Sequence, residues 1–212
     1  MKKIVILISG RGSNLQALLS AQLPCKIAVV ISNRSDAGGL EIAKQHEIPT
    51  RVVAHRDYTD RAKFDAALAQ VIDGYQPDFI VLAGFMRILT AEFVNQYYGQ
   101  LINIHPSLLP AYAGMNTHER ALQDGVRIHG CTVHFVTPNL DHGPIIIQAA
   151  VPVLSSDSAH SLAARVLKEE HIIYTQAIRW LCNGHVTLNT EEKVVFNLQQ
   201  VNGTTLISPN LE

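Results

Sequence analysis

The sequence predicts an α/β protein with a doubly wound, mostly parallel sheet and a less regular C-terminal third. The first observation behind this prediction is that strand-like and helix-like segments alternate over about the first hundred residues. The second is that the early strands are continuous apolar runs, such as Ile4–Ile8, which is typical of strands covered on both faces. The third is that this alternation stops after Pro110, where turn-rich segments become longer.

The first half of the chain supplies five strands and four helices. We expect the strands at 4–8, 27–31, 50–53, 79–82 and 101–105. We expect the helices at 15–19, 39–46, 60–75 and 91–98, with Thr90 as the cap of the last one.

After Pro110 the spacing predicts a short helix over 117–124, capped by Thr117, and strands over 128–135 and 145–148. A long helix is expected over 158–183, started by Asp157 or Ser158 and stopped by Gly184. Two weak strand patterns follow at 186–188 and 194–196.

The organisation indicates a single domain spanning residues 1–212, because the chain contains no internal repeat, low-complexity segment or clear linker. Within it we expect a nucleotide-binding half over about residues 1–100 and a second half over about residues 101–190.

Composition narrows the class of function. The chain has 212 residues, 47% of them hydrophobic, and 17 basic against 18 acidic residues give a formal net charge of −1. No basic run indicates nucleic acid as a partner, and no apolar stretch approaches the roughly 20 residues of a membrane helix. Nothing resembles a signal peptide, and three widely spaced cysteines fit a reducing compartment, so a cytoplasmic location is expected.

A glycine-rich turn lies between the first strand and the first helix. In Ser9–Asn14, small residues allow backbone N–H groups to approach an anion at the helix N-terminus, although a bare tight turn would have the same composition. The third glycine position of a dinucleotide fingerprint is Leu15, and Ser32–Arg34 after the second strand contains no carboxylate for a ribose. A mononucleotide or a ribose phosphate therefore suits the turn better than a dinucleotide.

The strand over 101–105 carries two polar side chains on one face. Asn103 and His105 are two residues apart, and Pro106 stops the strand pairing directly after them. Open α/β sheets bind ligands at the carboxyl ends of their strands. Taken alone, the pair is equally compatible with a functional site and with two structural residues whose polar groups are hydrogen-bonded within the protein.

The ten histidines do not indicate a metal site. No pair has ligand-like helical spacing with a third partner nearby, and no Cys-x-x-Cys motif is present. We therefore expect no metal cofactor.

Four ordered segments together resemble the folate-dependent formyltransferase superfamily. Asn103–Pro110 reads N-x-H-P-S-L-L-P, and Leu140–Pro144 reads L-D-x-G-P. Ser9–Gln16 and Ala83–Leu89 are similar to the branch of this superfamily that formylates glycinamide ribonucleotide. The likeness runs from Lys3 to about Trp180.

The resemblance implies a Rossmann-like formyltransferase fold, in which the half over about residues 101–190 is the folate-binding, catalytic half. It also implies a defined reaction. The formyl group of the co-substrate 10-formyltetrahydrofolate would pass to the amine of 5-phosphoribosylglycinamide, a step of purine biosynthesis. The partners would be these small molecules, with neither nucleic acid nor membrane, and the chain would be a monomer or weak homodimer.

The resemblance also implies roles for individual residues. The catalytic residues would be Asn103 and His105, which hold the developing oxyanion, and Asp141, which pairs with His105 and helps a water to carry the proton. The residues that bind glycinamide ribonucleotide would be Gly12, Ser13, Asn14 and Glu170. The residues that bind folate would be Arg61, Met86, Arg87, Ile88, Leu89 and Asn103.

Two residues depart from the family pattern. His142 follows Asp141, where the family usually has a small residue, so it could reshape the folate-side loop or compete with His105 for Asp141. Asn116 stands where many bacterial relatives have a histidine two residues before His118, which puts any role for a histidine pair there in doubt.

Two other functions compete with the formyltransferase. A hydrolase could pass the same formyl group to water with a similar Asn, His and Asp set, although such enzymes usually carry an additional N-terminal domain. A non-catalytic nucleotide-binding module would explain the glycine turn but would leave Asn103, His105 and Asp141 without a role. Transfer to methionyl-tRNA is disfavoured because no basic C-terminal domain follows.

Overall fold

The computed structural model describes residues 1–197 and confirms the predicted α/β class. The predicted single domain runs on to residue 212, so 198–212 lie outside the described residues. The strands are β1 (Lys2–Ile8), β2 (Cys25–Ser32), β3 (Thr50–Val52), β4 (Phe79–Leu82), β5 (Leu101–His105), β6 (Ile128–Phe135), β7 (Ile145–Pro152), β8 (Val186–Leu188) and β9 (Val194–Phe196).

Seven of these strands form one sheet in the order β3-β2-β1-β4-β5-β6-β7. The first five strands in this order, from β3 through β2, β1 and β4 to β5, pair in parallel with their neighbours. In contrast, β6 pairs antiparallel with both β5 and β7. The sheet is therefore mixed but mostly parallel, as predicted. The strands β8 and β9 pair with each other in a separate hairpin.

The helices also fall where the spacing predicted them. They are α1 (Ser13–Ser20), α2 (Gly39–Gln45), α3 (Arg61–Asp73), α4 (Ala91–Gln96), α5 (Thr117–Gln123) and α6 (Ala159–Cys182). The side chain of Thr90 accepts a hydrogen bond from the Phe93 N–H, and Ser158 begins α6 with a capping box.

The predicted cap of α5 is wrong. Thr117 is the first helical residue and is buried, and the capping position belongs to Asn116, whose φ of +56° is left-handed and whose side chain makes no capping hydrogen bond. Asn is one of the few residues that adopt this conformation at low cost.

Each face of the sheet is covered by its own hydrophobic core, because the buried side chains of β1 alternate between the two faces. Ile4, Ile6 and Ile8 pack in a first core with buried residues of α1, α2 and α6. Val5 and Leu7 pack in a second core with buried residues of α3 and α4. This double covering explains the continuous apolar runs in the sequence.

The topology brings three loops to one edge of the sheet. β1, β4 and β5 are parallel neighbours, so the turn after Ile8, the loop after Leu82 and the loop after His105 all lie at their carboxyl ends. The buried Tyr174 of α6 donates hydrogen bonds to the carbonyls of Leu82 and Ile102, at 2.9 and 3.1 Å, and so fixes the helix against this edge.

Within residues 1–197 no helix is long and apolar enough to cross a membrane.

Candidate active site

The backbone of the glycine-rich turn admits no side chain at Gly12. Gly12 has a φ of +86° and directly precedes α1, and a Cβ placed on it would lie 2.7 Å from the Cα of Gly39. Ser13 is the first residue of α1, so the first N–H groups of the helix have no partner within the helix. This arrangement can hold an anion with backbone donors.

A cavity of about 810 Å³ lies over this turn. It is lined on one side by the turn, on a second by the loop after β4, and on a third by Ala163, Ala164 and Leu167 of α6. Six of the predicted site residues line it, namely Gly12, Ser13, Asn14, Met86, Arg87 and Glu170. The structure thus places residues predicted for the ribonucleotide and residues predicted for folate around one cavity.

Asn14 and Glu170 form a buried polar pair in the wall of this cavity. The Asn14 Nδ2 donates a hydrogen bond of 2.8 Å to the Glu170 Oε2, across 156 positions of the chain. Burial raises the pKa of the Glu170 carboxyl, and the hydrogen bond from Asn14 opposes this shift. The Asn14 Oδ1 is buried without a hydrogen-bond partner, so it can accept one from a hydroxyl or amine in the cavity.

His105 ends β5 with both ring nitrogens close to polar partners. Its Nε2 lies 3.0 Å from the Tyr112 carbonyl oxygen. Because a carbonyl can only accept, Nε2 carries a proton and donates it to this oxygen. The Nδ1 lies 3.5 Å from the Asp141 Oδ2, and both side chains are less than 10% exposed. A buried carboxylate therefore faces the Nδ1 side of the ring.

The partners of His105 are held by an unusual backbone. Tyr112 and Asp141 have φ values of +56° and +53°, a conformation that non-glycine residues adopt at an energetic cost. The Gly114 N–H donates a hydrogen bond of 2.8 Å to the Asp141 Oδ2. The loop after β5 therefore supplies a backbone partner both to the imidazole and to the carboxylate.

Asn103 has a side-chain partner that the sequence did not reveal. Its Nδ2 lies 3.3 Å from the His134 Nε2, and the His134 Nδ1 lies 2.8 Å from the Phe135 carbonyl oxygen. The carbonyl requires a proton on Nδ1, so Nε2 accepts a hydrogen bond from the Asn103 amide. Burial lowers the pKa of His134 and favours this neutral form. The sequence signal was the polar stripe of Gly130, Thr132 and His134 on β6.

The predicted catalytic residues lie outside the lining of the cavity. Ile104 and Pro106 line the cavity, whereas Asn103, His105 and Asp141 do not. Successive side chains of β5 point to opposite faces, and Ile104 packs into the first core. A reacting group must therefore reach around the carboxyl end of β5.

The remaining folate candidates lie around the loop after β4. Met86 and Ile88 are 71% and 55% exposed, and the Met86 N–H donates to the Ser9 hydroxyl at 2.7 Å. The Arg87 guanidinium lies 5.7 Å from the centre of the Phe64 ring. Three candidates do not line the cavity: Arg61 is exposed at the start of α3, Ile88 faces solvent, and Leu89 packs against the second core.

His142 does not compete with His105. Its ring Nδ1 donates to the Leu140 carbonyl oxygen at 2.9 Å, and the side chain is exposed. Asp141 therefore keeps His105 as its imidazole partner.

The cavity also has cationic and imidazole side chains that the sequence reasoning did not select. Arg11, Arg34 and His160 line it, and so does His118. The His118 Nδ1 lies 3.2 Å from the His129 Nε2, and burial lowers the pKa of both rings, that of His129 to about 4. Only the fold brings these residues together, because neither sequence spacing nor strand pattern connects them.

Comparison of the sequence with known proteins shows the family to which the chain belongs. The profile of the formyl transferase family matches residues 2–178. Phosphoribosylglycinamide formyltransferase of Escherichia coli is 48% identical over 190 residues, which cover 88% of this chain and 90% of that protein.

Solved structures show the same likeness. Glycinamide ribonucleotide transformylase 1 from Symbiobacterium toebii is 44% identical with a TM-score of 0.88, over 92% of this chain and 94% of that one. A formyltetrahydrofolate deformylase from Pseudomonas syringae is 32% identical with a TM-score of 0.85, over 92% of this chain and 65% of that one. The chain belongs to the formyl transferase family.

Proposed function

We propose that this chain transfers the formyl group of 10-formyltetrahydrofolate to the amine of glycinamide ribonucleotide, in the de novo synthesis of purines. The products are formylglycinamide ribonucleotide and tetrahydrofolate. One observation carries the proposal: a single cavity extends from the anion-binding turn at Gly12 to Pro106, which directly follows His105, the partner of Asp141.

The ribonucleotide occupies the end of the cavity next to α1. Its phosphate accepts hydrogen bonds from the backbone of Gly12, Ser13 and Asn14. The free Oδ1 of Asn14 and the carboxyl of Glu170 lie in the same wall of the cavity. They bind the ribose hydroxyls or the amine-bearing part of the ribonucleotide. This orientation points the amine toward the carboxyl end of β5.

The folate lies on the side of the loop after β4. Exposed Met86 and Ile88 supply apolar surface, and the Arg87 guanidinium suits a carboxylate. Arg61 and Leu89 belong to the same side, at the start of α3 and at the end of the loop. The formyl carbon and the amine then meet at Asn103 and His105.

Attack by the amine makes the formyl carbon tetrahedral and places negative charge on its oxygen. Asn103 donates one amide N–H to His134, which leaves its second N–H for this oxygen. His105 uses its Nε2–H for the Tyr112 carbonyl, so its donor to the oxygen is an Nδ1–H, which the oxygen shares with Asp141. Two donors fixed before the reaction stabilise the charge that develops in the transition state.

Asp141 orients His105, stabilises its protonated form in the transition state and takes part in the proton transfer. The attacking amine must lose a proton, and the folate nitrogen must gain one as its bond to the formyl carbon breaks. Asp141, 3.5 Å from the His105 Nδ1, can hold the water that carries this proton. The step needs no covalent intermediate on the protein, because the formyl donor is already activated.

A hydrolase is the second candidate, favoured by the likeness to the deformylase. The two reactions differ only in whether water or the amine attacks the formyl carbon. We would supply 10-formyltetrahydrofolate with and without glycinamide ribonucleotide and follow the folate absorbance. Release of tetrahydrofolate only with the ribonucleotide supports the transferase, release without it supports the hydrolase, and no release under either condition contradicts both.

We further propose one domain, a monomer or weak homodimer in the cytoplasm. The two halves of the domain share the cavity, since Gly12 lies in the first and Glu170 in the second. The three cysteines, all free thiols, support a reducing compartment. Sedimentation at several protein concentrations would test the oligomeric state.

A further inference from the structure

We propose that Arg120 is a positioning residue that aligns His105 and Asp141 through the loop 112–115. This inference rests on the proposed function, because it concerns the same reaction. It assigns a role to a side chain that contacts neither the cavity nor the catalytic candidates.

The loop 112–115 is the shared support of the catalytic pair. The Tyr112 carbonyl accepts from the His105 Nε2 at 3.0 Å, and the Gly114 N–H donates to the Asp141 Oδ2 at 2.8 Å. A shift of this loop by a few tenths of an ångström would therefore change the position of both groups. The tautomer of His105 also depends on it, since the Tyr112 carbonyl keeps the proton on Nε2.

The backbone alone does not hold the loop in this conformation. Tyr112 and Gly114 both have positive φ values, +56° and +82°, and Tyr112 is not a residue that favours them. Such a conformation persists when surrounding contacts fix it.

Arg120 of α5 supplies these contacts from the other side of the loop. Its Nη1 donates to the Ala113 carbonyl at 2.6 Å and to the Met115 carbonyl at 3.4 Å. Its guanidinium carbon lies 5.4 Å from the centre of the Tyr112 ring, within the range of a cation–π contact. One planar group thus contacts three of the four residues of the loop.

The Tyr112 ring is fixed at two further points. Its hydroxyl donates to the Asp124 Oδ2 at 3.0 Å, and its ring packs edge-on against His129 at 5.7 Å between centres. Arg120 lies in the last turn of α5 and Asp124 directly follows the helix, so the helix and the loop form one unit.

The test is Arg120→Gln, with Arg127→Gln as the matched control. Arg127 is exposed, and within residues 1–197 its side chain makes no hydrogen bond or ion pair, so its loss removes the same charge without freeing the loop. In Arg120→Gln we expect kcat to fall about tenfold, because displacement of reacting groups lowers the rate of the chemical step. The KM values of both substrates should stay within about twofold of the original, because the binding residues are elsewhere.

A second measurement separates positioning from a merely structural role. The ¹⁵N resonance of the His105 Nε2 should show one fully protonated nitrogen in the original protein and in Arg127→Gln, but partial loss of this proton in Arg120→Gln. An unchanged His105 Nε2 resonance in Arg120→Gln, or a kcat equal to that of Arg127→Gln, overturns the inference. If the original protein does not formylate glycinamide ribonucleotide, the proposed function fails, and the His105 resonances still decide whether Arg120 fixes the loop.

Discussion

The two ends of the candidate site are held in place by different means. At the ribonucleotide end, the close approach of Gly12 and Gly39 shapes the backbone itself, and the backbone donors need no side chain to orient them. At the other end, His105, Asp141 and Asn103 are side chains, and each depends on a partner from another segment, namely Tyr112, Gly114 or His134. The difference indicates that substitutions at the first end should affect binding, whereas those at the second should affect the chemical step.

The largest effect is expected for Asp141→Asn. This change keeps the shape and the hydrogen bond from Gly114 but removes the negative charge beside His105. We expect kcat to fall at least about a hundredfold, equivalent to ~3 kcal/mol of barrier, because it removes both the charge partner and the proton route. The KM values should barely move, since the group acts on the transition state.

Two further variants serve as the control and as the test of coupling for Asp141→Asn. Asp57→Asn, an exposed carboxylate away from the site, should keep its kcat. The double variant His105→Ala, Asp141→Asn should be little slower than the slower single one, because residues that act as a unit are not additive. Losses that multiply would show that the two residues work independently.

The next effect concerns the ribonucleotide end. In Gly12→Val a side chain would be forced against Gly39, and the turn would have to open. We expect the KM for glycinamide ribonucleotide to rise about thirtyfold, or roughly 2 kcal/mol, as the hydrogen bonds to its phosphate are lost. The KM for the folate should be nearly unchanged.

Gly10→Ala is the matched comparison for this variant. A Cβ on Gly10 meets nothing within 4 Å, so its ribonucleotide KM should change much less than that of Gly12→Val. Equal losses of affinity for both substrates in Gly12→Val would mean that the turn is structural and holds no phosphate.

A third effect concerns stability at the His105 end, where buried imidazoles lie. Burial and the mutual repulsion of His118 and His129 lower the pKa of His129 from 6.5 to about 4. Between these values the unfolded chain binds more protons than the folded one, so the free energy of unfolding must decrease as the pH falls. We expect a loss of about 2 kcal/mol between pH 7.5 and pH 5 from His129.

Urea unfolding at a series of pH values measures this loss. His129→Gln should flatten the pH dependence below pH 6.5, whereas His46→Gln, at an exposed histidine, should leave it unchanged. An identical slope in His129→Gln and in the original protein would contradict a buried neutral imidazole.

The difference between the two ends of the site also explains which features the sequence could predict. Helices and strands follow from periodicity and from apolar runs, and every expected element within residues 1–197 is present. The turn at Gly12 and the pair on β5 also lie in local patterns, so the sequence indicated both ends of the site.

The supports of the catalytic side chains could not be predicted in this way. The contact of Asn103 with His134 depends on the antiparallel register of β5 and β6, which joins positions 31 residues apart. The contacts of His105 and Asp141 with the loop 112–115 depend on left-handed residues that no propensity favours at Tyr112. The resemblance to a family predicted the reacting groups, but only the structure shows which contacts hold these side chains.

The smallest effect tests one of these supports. His134→Phe fills the same buried space but removes the acceptor of the Asn103 amide, so the amide can rotate away from the oxyanion. We expect kcat to fall about tenfold, less than for Asp141→Asn, because Asn103 keeps its donor and loses only its orientation. His134→Gln retains an oxygen that can accept from Asn103, and its kcat should exceed that of His134→Phe. Both variants should retain the KM values of the original protein, since His134 does not line the cavity. Equal kcat in His134→Phe and in the original protein would mean that β5 alone orients Asn103, and the two ends of the site would then differ less than the structure indicates.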